Sequence, residues 1–253
     1  MAAVSKTAGE VNYPTSDGRP IGESDLHRKL LIRLIHRLEA HFAADPNVYV
    51  SGNLLVYYER GNIPKRVAPD VFVVRGVPKR MRDHFLVWEE GPGPQVVIEL
   101  TSKSTRREDQ NYKFKLYRDV LKVQEYFVFD PRQEYLTPPL QGYRLEAGDY
   151  QPILPVEGRL PSVELQLSLE AGGEDLTILN SVTKKSLDTE ISPLTTEQFE
   201  TAAATWRAIA AAARKDEQLT LERCDAAEKE GARLRALLEK LHYNSTAGGQ
   251  LEG

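Results

Sequence analysis

The sequence predicts a mixed α/β domain, α/β or α+β in class, followed by a long polar helix. Three observations carry that expectation. An amphipathic helix opens the domain, a series of short strands broken by one crossover helix follows, and the composition changes after Pro193 to a proline-free stretch dense in Ala, Glu, Arg, Lys and Leu. With 253 residues, 41% of them hydrophobic, the chain can bury one sizeable core.

Residues 1–20 are polar and carry Pro14, Gly18 and Pro20, so they read as a flexible arm ahead of a domain at 21–190. Ser24 is a good N-cap and Asp25 suits the positive end of a helix dipole. From there Leu26, Leu30, Leu31, Leu34, Ile35, Leu38 and Phe42 recur every three or four residues, the spacing of one buried helix face. Residues 49–58 and 71–74 read as strands rich in Val, Leu and Tyr, with a turn region at 61–69 between them.

Residues 95–100 form a nearly continuous apolar run suited to the middle of a sheet. A second helix is expected from about Thr105 to Leu121, then a strand at 125–129 that Asp130-Pro131 stops. Short strands follow at 142–145, 150–154, the alternating 163–169, and 176–179. Residues 195–243 carry a heptad seam from Trp206 to Leu241 whose far end alone is strongly apolar; a long helix is expected, with a coiled coil as its use and a disordered end at 244–253.

Several chemistries are excluded. Cys224 is the single cysteine, so neither an intrachain disulfide nor a cysteine metal cluster can form. There is no phosphate-binding Gly-x-x-x-x-Gly-Lys loop, no Gly-x-Ser-x-Gly elbow, and no His-Glu-x-x-His among five histidines. The start lacks a basic segment ahead of an apolar run, and no stretch approaches the length of a membrane span, so a cytoplasmic protein is expected. Mean hydropathy is −0.44 and net charge −4, which by itself argues against nucleic acid. The distribution argues the other way: residues 60–82 hold seven basic side chains against Asp70 alone, and 99–122 hold seven against four. A polyanion approaching Asp70 and Glu99 would meet that excess.

Those two acids are the sharpest signal. Asp70 sits in Pro69-Asp70-Val71-Phe72-Val73-Val74, and Glu99 in Val96-Val97-Ile98-Glu99-Leu100, with a basic segment close behind. A carboxylate on a buried strand costs several kcal/mol unless cations or hydrogen bonds compensate it. Two of them beside lysines and arginines suggest a shared divalent metal, which does chemistry on phosphate esters. Asp109, Lys113 and Tyr117, spaced by four, line one face of the second helix, and that face could bring Lys113 to a scissile phosphate. Glu23 and His27 are also four apart, either capping residues or ligands.

Asp70, Glu99 twenty-nine positions on, a basic helix with Tyr117 and a strand ending Phe129-Asp130-Pro131 together resemble the PD-(D/E)XK nuclease superfamily, and more narrowly the Uma-type restriction endonucleases. The matching text is ESDLHRKL from Glu23, VSGNLLVYYE from Val50, VAPDVFVV from Val67, VVIELTSKSTRREDQNYKFKLY from Val96 and EYFVFDP from Glu125. The resemblance covers about residues 15–180 and leaves the helical tail outside. It implies a restriction-endonuclease-like mixed sheet flanked by helices and a Mg2+-dependent DNA endonuclease, Mn2+ being the substitute ion. Asp70 and Glu99 map to metal ligands and Glu23 to the helical acid. The superfamily lysine normally lies two residues after the glutamate, where Thr101 stands; the pattern in this branch points to Lys113, with Lys103 as the other candidate. Arg106, Arg107 and Lys115 would hold the DNA backbone, and His27, Asp109 and Tyr117 would support the site. A homo-oligomer could form through the nuclease domain or the tail. The rival reading is a catalytically silent DNA-binding or scaffold protein that assembles through that tail.

Overall fold

The first helix forms where its capping and periodicity place it. In the computed structural model, which describes residues 13–14, 24–103, 105–190, 195–201 and 203–204, all in one compact unit, α1 is Asp25–His41. Ser24 caps it, its hydroxyl accepting the His27 N–H at 3.2 Å. Leu30, Leu31, Leu34 and Leu38 are buried along one stripe.

The strands are, in chain order, β1 (Val48–Ser51), β2 (Val56–Tyr57), β3 (Arg66–Val67), β4 (Val71–Arg75), β5 (Phe85–Leu86) and β6 (Val96–Leu100). After a crossover come β7 (Glu125–Phe129), β8 (Leu140–Glu146), β9 (Asp149–Pro152), β10 (Leu160–Ser162), β11 (Leu167–Gly172) and β12 (Asp175–Asn180). Short helices lie at Val87–Glu90 (α2) and Leu187–Glu190 (α3). The central sheet has six strands in the order β1-β4-β6-β7-β8-β9, and it is mixed: β6 and β7 are parallel, their neighbours antiparallel. A parallel pair needs a crossover, and the second helix supplies it.

Alternation in β4 and β6 sends side chains to two cores. Val71, Val73, Val96 and Ile98 meet α1 and the β10-β11-β12 sheet on one face. Phe72, Val74 and Val97 meet the crossover helix and the small β3-β2-β5 sheet on the other. The mixed α/β expectation therefore holds, with several differences in detail.

The stretch 49–58 is two strands in different sheets. The chain leaves the central sheet at Gly52, where an added Cβ would overlap the Asp70 carbonyl oxygen and stand 2.8 Å from Ile35 Cδ1. Asn53 N–H then donates to the Pro69 carbonyl at 2.8 Å, and β2 pairs in parallel with β5. The alternating 163–169 is a turn at 163–166 followed by β11; Leu165 is buried as a turn residue, which mimics strand periodicity. The two-residue strands β3 and β5 and the helix α2 are too short to leave a periodic signal, and the sequence does not predict them. Finally, the second helix is π-helical over Glu108–Lys113 and Leu116–Val120, with Leu121 N–H reaching back five residues to Leu116 O at 3.0 Å. Such widened turns are frequent at functional sites.

At the N-terminal end, Tyr13 and Pro14 are tied to the body. The Tyr13 hydroxyl accepts the Gly61 N–H at 2.6 Å, and the Tyr57 hydroxyl donates to Pro14 O at 2.7 Å. Thr195 opens the expected tail helix with a capping box: Gln198 N–H donates to Thr195 Oγ1 at 3.1 Å, and Thr195 N–H to Gln198 Oε1 at 2.9 Å. The rest of the expected arm, the coiled-coil seam and the end at 244–253 lie outside the described residues. Among the described residues no helix is long and apolar enough to cross a membrane.

Candidate active site

The antiparallel register of β4 and β6 pairs Val71 with Ile98 and Phe72 with Val97. Carried one residue further, it sets Asp70 opposite Glu99, on the face that Phe72 and Val97 share. Directly opposed like charges are destabilising in a sheet. Both are buried, Glu99 at 1% exposure and Asp70 at 8%, so the repulsion is little screened by water. Gly52 is the packing condition for this arrangement, because its missing side chain leaves room for the backbone at Asp70. Proline, aspartate and glutamate are visible as signals in the sequence; the need for glycine at 52 is not.

Each acid is held by identifiable donors. Leu100 N–H donates to Asp70 Oδ2 at 2.7 Å, and His27 Nε2 lies 3.4 Å from Asp70 Oδ1. Lys113 Nζ donates to Glu99 Oε2 at 2.8 Å, and the Tyr117 hydroxyl to Glu99 Oε1 at 2.6 Å. Asp109, 2% exposed, puts Oδ1 3.2 Å from Lys113 Nζ and takes a hydrogen bond from Thr101 Oγ1 on Oδ2 at 2.6 Å. The four-residue spacing Asp109–Lys113–Tyr117 thus does put all three on one side, over Glu99. The π-helical turns lie in this same stretch, and Tyr126 hydroxyl ties the Asp109 carbonyl to β7 at 3.1 Å.

The electrostatics follow from burial and an imbalance of charge. Burial raises the Glu99 pKa well above the ordinary carboxylate range; Lys113 works against this, while the Asp70 and Asp109 charges add to it. Burial also acts to raise Asp70, but the His27 hydrogen bond and charge, Lys113 and the Leu100 N–H outweigh it and hold Asp70 below its usual value. For Lys113 burial acts to lower the pKa, yet Glu99, Asp70 and Asp109 raise it above that of an ordinary lysine. Burial and then the Glu99 charge push the Tyr117 hydroxyl well up, so it stays a donor. Lys113 is therefore a fixed cation and hydrogen-bond donor, not a base. Three carboxyl groups surround one ammonium, an excess of negative charge that a divalent cation would neutralise.

The donor set fits such an ion. Ionised carboxylate oxygens keep lone pairs beyond the bonds described, and hard cations take oxygen ligands. Among the described residues no group of three or more His, Cys, Asp and Glu side chains is placed to hold a metal ion by itself. Mg2+ commonly does without one, using one or two carboxylates with waters and substrate phosphates. Glu23, the third acid expected here, lies outside the described residues.

Lys103, Arg106, Arg107 and Lys115 are exposed, the two arginines opening the crossover helix. The basic run at 60–82 is used differently. Arg82 lies between the Tyr49 ring and Glu90, Arg80 also pairs with Glu90, and Arg75 donates to Glu164 O at 2.6 Å. Much of that sequence excess is internal structure rather than a free basic face.

Comparison with known proteins gives three findings. The model of the Uma2 family, described as "Putative restriction endonuclease", matches residues 7–178, more than half of the chain. A crystal structure of a "putative nuclease" from Anabaena variabilis is similar at 12% identity and a TM-score of 0.43, covering 71% of this chain and 83% of that one. No curated protein matches.

Proposed function

The chain belongs to the Uma2 family, and from that premise we propose that it is a divalent-metal-dependent DNA endonuclease that hydrolyses phosphodiester bonds. The observation that carries the reading is the buried pair Asp70 and Glu99, set opposite each other, which with Asp109 makes three carboxyl groups for the Lys113 ammonium and the His27 ring. Asp70 and Glu99 would hold Mg2+, or Mn2+ in its place, with Glu23 as a further acid. Bound there, the ion supplies Lewis acidity toward the phosphate and a lowered pKa for an attacking water.

The protein's own groups do the rest. Tyr117 and Lys113 fix the two oxygens of Glu99, so the carboxylate enters the reaction already oriented. Lys113 donates one N–H to Glu99 and forms an ion pair with Asp109, so a further N–H can meet the attacking water or a phosphate oxygen as negative charge builds there. His27 and the Leu100 N–H hold Asp70 ionised. Arg106, Arg107 and Lys115, with Lys103, would grip the DNA backbone by sequence-independent, salt-sensitive contacts. We assign the nuclease body to residues 21–190, acting in the cytoplasm, with copies assembling through that body or through the tail from Thr195.

Thr101 in the usual lysine position favours a second reading, a silent DNA-binding or scaffold protein. Plasmid cleavage separates the two. The full chain should nick or linearise supercoiled plasmid with Mg2+ and lose this with a chelator. Glu99→Ala, confirmed as folded by circular dichroism, should lose cleavage while still retarding DNA. Equal products from wild type and variant would remove the acid pair from catalysis; no cleavage from either would leave the scaffold reading standing.

A further inference from the structure

We propose that Thr101 and Tyr135 are positioning residues for Lys113, acting through Asp109, so that a hydrogen-bonded chain stands where the strand lysine of other nucleases would be. The inference rests on the endonuclease reading and goes beyond it by assigning work to two residues that bear no charge.

Thr101 lies two residues beyond Glu99, hence on the same side of the extended chain. It is 2% exposed and its hydroxyl is surrounded by three oxygens: Asp109 Oδ2 at 2.6 Å, the Tyr135 hydroxyl, and Thr105 Oγ1 at 3.5 Å. A hydroxyl has one proton, and a carboxylate can only accept. Thr101 therefore gives its proton to Asp109, and Tyr135 must donate to Thr101. The direction of the chain is set, Tyr135 to Thr101 and Thr101 to Asp109, and the other oxygen of Asp109 forms an ion pair with Lys113 at 3.2 Å.

The outer end is anchored as firmly as the inner one. Asp130, 1% exposed, accepts the N–H groups of Tyr135 at 3.0 Å and Leu136 at 3.1 Å through Oδ2, and of Arg132 at 3.2 Å through Oδ1. The loop after β7 is thereby shaped to present Tyr135 to Thr101. A lysine side chain has four rotatable methylenes and loses substantial entropy when fixed. Glu99 alone would leave Lys113 free to pivot about one contact; Asp109, itself held on the oxygen away from the lysine, supplies the second and fixes the ammonium. Preorganised charge of this kind is what a transition state rewards.

The test uses the full chain with plasmid in single turnover, and a second readout that needs no cleavage. Thr101→Val keeps the shape and removes the hydroxyl; it should lower the single-turnover rate by about 10- to 100-fold, the range for loss of an orienting partner, with little change in DNA affinity. Thr101→Ser should restore the rate. In a Lys113→Ala background Thr101→Val should cost nothing more, since its effect passes through the lysine. The same loss in both backgrounds would overturn the proposal, because a merely structural defect does not depend on Lys113. In parallel, nuclear magnetic resonance of the Lys113 ammonium should show its order parameter falling in Thr101→Val and in Tyr135→Phe. If wild type cleaves nothing, the endonuclease reading fails and this measurement alone decides: unchanged Lys113 order in both variants overturns the positioning role.

Discussion

Lys113→Ala should lower the single-turnover rate of cleavage by roughly 10² or more, the scale on which one preorganised donor matters, and leave DNA affinity nearly unchanged. The reason is geometric. Lys113 Nζ is held at 2.8 Å from Glu99 and 3.2 Å from Asp109, and surrounding carboxyl groups keep it protonated. Lys103, the alternative, is exposed in the turn after β6 and has no such frame among the described residues. Lys103→Ala should instead weaken binding and flatten its salt dependence, lowering the slope by about one, the increment that a single phosphate-bound lysine contributes. Filter binding across a salt series, beside quenched-flow cleavage, checks both. The reverse pattern would transfer the role to Lys103, and no effect from either would favour the silent scaffold.

Glu125→Ala should cost about 1–3 kcal/mol of stability, as leaving buried donors without their acceptor does, measured by urea unfolding. Glu125 is 1% exposed at the start of β7. Its oxygens receive Arg144 Nε at 3.0 Å and Nη2 at 2.9 Å, the Val163 N–H at 3.0 Å, the Glu164 N–H at 3.3 Å and the Ser162 hydroxyl. These bonds tie β7 and β8 of the central sheet to the turn between β10 and β11. Truncation would take this acceptor from the Ser162 hydroxyl and the Val163 and Glu164 N–H groups, while the half-buried Arg144 keeps its bond to the Pro161 carbonyl. A loss below about 1 kcal/mol would mean that water reaches and satisfies them, as it does at surface pairs.

Glu125 also marks how far the sequence can be read. It opens Glu125-Tyr126-Phe127-Val128-Phe129 as an acid on an apolar strand, the same local signature that singles out Glu99. What separates them is tertiary: Glu125 meets a cation and several donors of its own, whereas Glu99 faces Asp70 and Asp109 with Lys113 shared among them. Local pattern locates a buried acid but not its partners. Periodicity of 3.6 serves α1 well, because its face is continuous and Ser24 caps it. It serves the second helix less well, since the i, i+4 alignment of Asp109, Lys113 and Tyr117 is legible while the π-helical turns that accompany it are not. Residues 49–58 read as one strand because Val, Leu and Tyr continue through the break; the break comes from Gly52 passing against the Asp70 backbone, a contact between distant segments. The alternation at 163–169 misleads for a related reason, as the backbone there turns to donate to Glu125.

The most direct test of Asp70 and Glu99 as a cation site is a calorimetric Mn2+ titration of the full chain, wild type against Asp70→Asn. The variant keeps the side-chain shape and an oxygen for the Leu100 N–H, and removes one negative charge. Opposed carboxylates sharing one ion predict a single saturable site in wild type, with affinity reduced about tenfold or more in the variant. Equal Mn2+ affinity in the two proteins would contradict it.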